Sequence, residues 1–80
     1  MNLNPFKTKA TTVRLTPLGT DKLASMSGND TIRYEIMQYL HERGGSTPQE
    51  IAQGVNINPA TARQLCNVLA GRDYKFVEWY

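Results

Sequence analysis

Two stretches decide how this chain folds: Ser46-Thr47-Pro48-Gln49-Glu50-Ile51-Ala52, and shortly after it Asn58-Pro59-Ala60-Thr61-Ala62-Arg63-Gln64-Leu65-Cys66-Asn67-Val68-Leu69. Each opens with a capping side chain directly before a proline. The oxygen of Thr or Asn accepts a bond from an orphan backbone N–H, and proline at the first helical position gives up an N–H that had no partner there. Thr47 to Glu50 also form a capping box, because Glu50 stands where its carboxylate reaches back to the backbone of Thr47. Two helix starts lie close together, with Ala62, Leu65, Cys66 and Leu69 forming the apolar face of the second helix.

Working outward, Thr16-Pro17 repeats the same signal and starts a short helix running to about Met26, with Leu18 and Leu23 as its apolar anchors. Asp30 is the expected cap of a longer helix that reaches about Arg43 and stops at Gly44-Gly45. Ile32, Ile36, Tyr39 and Leu40 form its stripe. The helix from Pro48 is expected to end near Gln53, with Gly54 as its stop and a turn of about five residues before Pro59. The helix from Pro59 runs to about Ala70. Thr11–Leu15 alternates and is β-branched, and Tyr74–Tyr80 is aromatic and β-branched, so both read as strands. Residues 1–10, with Lys7 and Lys9, read as a slightly basic arm, and 11–80 as a single domain.

A long helix, a short capped helix, a turn and a second capped helix follow helix-turn-helix order. The segment from Ser46 to Leu69 resembles the winged helix-turn-helix domains of prokaryotic, including archaeal, transcription regulators. In that family a Ser/Thr-x-x-Glu-Ile-Ala helix precedes a recognition helix, whose pattern Thr61, Ala62, Leu65, Cys66 and Leu69 match. Val13-Arg14-Leu15-Thr16-Pro17-Leu18-Gly19 is similar to the strand-Leu-Thr-x-x-Gly-helix segment that often follows the wing in such regulators, but here it comes first. The link Arg72-Asp73-Tyr74-Lys75 looks about two residues longer than usual for the family. With no stretch after Tyr80 for a second wing strand, Thr11–Leu15 is expected to pair antiparallel with Tyr74–Tyr80. The expected fold is therefore α+β: a small winged helix with a three-helix core, a short N-terminal helix and a two-stranded sheet from the chain ends.

The resemblance implies double-stranded DNA as partner. On the expected recognition helix, Thr61, Arg63, Gln64 and Asn67 are left outside the apolar face and suit base edges: Arg pairs with guanine, Gln or Asn with adenine, and Thr with a thymine methyl. Phosphate contacts fall to Asn58 at the helix start, Arg72 and Lys75 just past its end, and Lys7 and Lys9 on the arm. The bland alternative, a merely solvated helix face, remains open, as does a winged helix used for protein contact.

Composition bounds the rest. Net charge is +2 with pI near 8.9, a mild basic excess that pairing into a homodimer would double. The one cysteine excludes an internal disulfide and a four-cysteine zinc site, and its place in the apolar stripe makes Cys66 a core thiol. His41, beside Glu42 and Arg43, suits a helix C-terminus rather than catalysis. No phosphate loop, membrane-length apolar run or signal peptide is evident. The expectations are no enzyme, no cofactor, no metal, no small-molecule ligand and a cytoplasmic location. Tyr34, Tyr39, Tyr74, Phe76, Trp79 and Tyr80 suit a small core, with Trp79 and Tyr80 as candidates for an interface.

Overall fold

The computed structural model describes residues 11–26 and 31–80. Its elements run β1 (Val13–Leu15), α1 (Pro17–Ser25), α2 (Ile32–Arg43), α3 (Pro48–Val55), α4 (Pro59–Leu69) and β2 (Val77–Trp79). This is the expected α+β winged helix, with the two short strands pairing antiparallel as Val13 with Trp79, Arg14 with Glu78 and Leu15 with Val77.

The three Thr-Pro and Asn-Pro signals act as caps. Thr16 accepts from the Gly19 N–H at 2.9 Å, Thr47 from Glu50 at 3.2 Å, and Asn58 from Ala60 at 2.8 Å. The capping box closes as the Glu50 carboxylate accepts from the Thr47 N–H at 2.9 Å. The cap of α2 differs from expectation. Thr31, not Asp30, accepts from the Tyr34 N–H at 3.2 Å, and Asp30 lies outside the described residues. Thr31 stands in extended backbone directly before the first helical residue, which is where a capping oxygen has its reach.

Gly54 does not stop α3. The helix passes through it to Val55 and is closed by Asn56, whose φ of 62° and ψ of 53° place it in the left-handed region. The turn into α4 is therefore three residues, 56–58, rather than five. Gly54 serves packing instead: a Cβ there would overlap the Tyr39 ring of α2. Gly44, with φ of 81°, does end α2, donating its N–H to the Leu40 carbonyl at 2.8 Å.

Two core assignments shift. Leu18 is 53% exposed, and α1 buries Gly19 and Leu23. On α2 the buried residues are Ile36, Met37 and Leu40, with Ile32 and Tyr39 only half-buried. Met37 sits beside Ile36 on the helix circumference, so a helix gripped by α1 on one flank and α3 on the other buries a stripe wider than the apolar spacing marks. Val13, Ile51, Ala52, Ala62, Cys66, Leu69 and Val77 complete the core.

The strands are shorter than expected because turns consume their ends. The N–H groups of Tyr74 and Lys75 both donate to the Gly71 carbonyl, at 3.0 and 2.9 Å, and Lys75 takes a φ of 55°. Tyr74 and Lys75 are thus turn residues. At the other end, Thr12 and Tyr80 exchange backbone hydrogen bonds of 3.2 and 2.8 Å beyond the formal strands. Val13 also exchanges bonds of 2.8 and 2.9 Å with Ser46, so β1 is a central strand between the start of the helix-turn-helix and β2.

Candidate nucleic-acid interface

The amphipathic pattern of α4 sets the site. Ala62, Cys66 and Leu69 are buried, which turns Ala60, Arg63, Gln64 and Asn67 outward on the opposite face. Arg63, Gln64 and Asn67, with Pro59 and Ala60 at the helix start, form one wall of an open groove of about 450 Å³. Pro48 and Gln49, in the first turn of α3, form the other wall. The Asn58 cap and the Thr47 capping box hold these two helix starts, and the three-residue turn keeps them side by side.

The structure thus brings together three of the four expected base-facing residues. Thr61 is exposed, but it stands about 160° around the helix from Arg63, at 100° per residue, and does not line the groove. Gln49 joins the set, although the sequence reading passed over it. Its signal was present: Ile51 and Ala52 mark the inward face of α3, which leaves Gln49 on the outer side.

Electrostatics favour an anionic partner at this groove. Its lining holds one guanidinium and no carboxylate. The nearest acid in sequence to Gln49, Glu50, is already bonded to the Thr47 N–H. Among the described residues no carboxylate pairs with Arg63. The side-chain oxygen of Asn58 accepts from Ala60, so Asn58 orients the α4 start as well as standing at it.

The other cations are placed less uniformly. Arg72 and Lys75 are exposed in the turn beyond the C-terminal end of α4, outside the groove. That turn is held in place: Thr16 donates its hydroxyl to the Lys75 carbonyl at 2.6 Å, and the Phe76 N–H donates to Leu69 at 2.9 Å. Arg14 is engaged on the outer face of the sheet, 2.7 Å from Glu78 and 4.4 Å over the Tyr80 ring. Arg43 lies over the Tyr39 ring. Lys7 and Lys9 fall outside the described residues.

Cys66 is fully buried in α4, and burial pushes its thiol from the ordinary 9.0 up to about 11, as expected of an unreactive core thiol. His41 is exposed in the last turn of α2. Tyr34, Tyr39, Phe76 and Trp79 pack against the core, leaving Tyr74 and Tyr80 as the exposed aromatics among the described residues. Among the described residues no cluster of His, Cys, Asp or Glu could hold a metal ion, and no helix is long and apolar enough to cross a membrane.

No curated protein and no solved structure gives a significant match to the chain. A family model described as winged helix-turn-helix DNA-binding matches residues 29–72, more than half of the 80. The matched segment holds α2, α3, α4 and both walls of the groove, and stops within the turn into β2. By its capped helix pair, its short turn and this match, the chain belongs to the winged helix-turn-helix DNA-binding family.

Proposed function

We propose that the domain binds double-stranded DNA with sequence preference and acts in the regulation of transcription. The observation that carries this reading is the groove between the starts of α3 and α4. It gathers one guanidinium, unpaired among the described residues, and three carboxamides in a lining with no carboxylate. In this reading α4 enters the major groove, where Arg63, Gln64 and Asn67 meet base edges, with Thr61 on the flank of the same helix. Arg72 and Lys75 meet phosphates beyond the end of α4, and Asn58 presents the helix start to another.

Lys7 and Lys9 add phosphate contacts from the arm. The register supports this part, because Val13 pairs antiparallel with Ser46, so Thr11 and Thr12 lead back toward Thr47 and Pro48 at the groove edge. A net charge of +2 is low for tight binding by a single copy, and pairing of two copies on two half-sites answers that. A cytoplasmic location goes with the same role.

A second reading, contact with another protein, draws on the exposed Leu18, Tyr74 and Tyr80. Trp79, the residue that would have centred an apolar patch, is half-buried against the core instead.

The test is fluorescence anisotropy with random-sequence duplex across a salt series, beside light scattering for oligomeric state. Affinity should fall steeply with salt through counterion release. Lys75→Ala should weaken binding to every sequence alike and reduce the logarithmic salt slope by about 1, whereas Arg63→Ala should cost about 1–3 kcal/mol on a preferred site. No binding at low salt, with a stable self-associated species, would transfer the assignment to protein contact.

A further inference from the structure

Resting on that reading of α4, the chemistry of the groove specifies what kind of DNA site it accepts. We infer that the groove reads a duplex site dominated by A·T pairs with one required G·C pair, and that Gln49 of α3 is a specificity residue alongside Arg63 and Asn67.

Three observations meet here. The groove offers three neutral carboxamides, Gln49, Gln64 and Asn67, against a single cation, Arg63. A carboxamide carries a donor and an acceptor side by side, which matches the N6 and N7 edge of adenine. A guanidinium carries only donors, which match O6 and N7 of guanine. The groove has no carboxylate, the group suited to accept from the cytosine amine.

Spacing adds order to composition. Arg63 and Asn67 are four residues apart on one face of α4, a rise of about 6 Å, or about two base-pair steps of 3.4 Å. The guanine held by Arg63 and the adenine held by Asn67 should therefore lie about two pairs apart. Gln49 faces them from the other helix, so its adenine belongs on the side of the site nearer the start of α3. A carboxamide at a helix start can also meet a phosphate, and the sequence dependence of the Gln49→Ala loss separates the two roles.

Selection from a random duplex library, read by sequencing, tests this with the full chain and with Arg63→Ala, Asn67→Ala and Gln49→Ala. All three positions are exposed, and circular dichroism checks that each variant folds. The wild type should enrich A·T-rich sites with one fixed G·C pair. Arg63→Ala should erase the preference at that pair alone, and Asn67→Ala at an A·T pair about two steps away. Gln49→Ala should relax one further A·T position, lowering affinity for the selected duplex by about tenfold and for random duplex by less than about twofold. A selected site without a fixed G·C pair, or a Gln49→Ala loss equal on all sequences, overturns the inference while leaving DNA binding intact. Failure of the wild type to bind any duplex overturns the proposed function and this inference with it.

Discussion

The turn between α3 and α4 and the seam between β1 and β2 both hold two elements together, but over very different stretches of chain. The first takes three residues, 56–58, flanked by Asn56 in the left-handed region and the Asn58 cap. The second joins Arg14 to Glu78, 64 positions away, through strands of three residues each. On the helical side local chemistry carries the geometry: a capping box, two Pro first positions and a left-handed closure. On the sheet side almost nothing is local. Val13 and Val77 enter the shared core, and the backbones of Thr12 and Tyr80 pair only because the intervening helices have already brought them close. The groove belongs to the local half, and the family match ends in the turn just past α4. The sheet covers the same core from the other side through Val13 and Val77.

That contrast has a breaking point at Ile51, fully buried in α3. Ile51→Ala should cost about 2–5 kcal/mol, since it empties space in the core that Val13 and Val77 share. Followed by circular dichroism for the helices and by the fluorescence of Trp79 for the sheet, the two transitions should remain coincident. A Trp79 transition well ahead of the helical one would show that the seam melts independently, and the contrast would be sharper than drawn here.

Gly19→Ala tests the seam itself. The new Cβ would overlap the Phe76 carbonyl oxygen, which is fixed backbone and also accepts the Thr16 N–H at 3.0 Å. Urea unfolding should show a loss near the upper end of the overpacking range, about 3 kcal/mol. A neutral result would mean that the seam gives way more easily than its hydrogen bonds imply.

The next effect is read with pH. The thiol of Cys66 titrates at about 11 in the folded protein against 9.0 in the open chain, so between those values the folded state holds more of its proton. Stability from this group is complete below pH 9 and declines as pH rises, by about 2 kcal/mol at pH 11. Cys66→Ala should remove that share of the decline.

Smallest is the cap. Thr47→Ala should cost about 1 kcal/mol in the same urea experiment, because it removes the acceptor for the Glu50 N–H. It should also weaken binding of a selected duplex, since Gln49 stands in the turn that this cap holds. Lost stability with unchanged DNA affinity would separate the cap from the groove.

Much of the candidate site was legible before any coordinates, and the reason is visible at α4. An apolar face at helical spacing necessarily leaves Arg63, Gln64 and Asn67 on the other side. What could not be read was which outward residues share a groove. Thr61 and Arg63 are both exposed, on different flanks of α4, and only the packing of α4 on α3 decides which flank lines the groove and brings in Gln49. Gly54 shows the limit in another form. Glycine commonly ends a helix, but here the space beside Tyr39 of α2 keeps it within one, shortening the turn by two residues.

By itself the sequence determined the helices, three of their four N-terminal caps, the apolar stripe that carries Cys66 and the outward face of α4, because each depends on groups within about four residues of one another. The tertiary structure alone decided where the strands end, that Val13 lies between Ser46 and Trp79, and which side chains meet across the groove. Those outcomes join residues far apart in the chain, whose hydrogen bonds and contacts form only once the core of Ile36, Ile51, Cys66 and Leu69 has drawn the helices together.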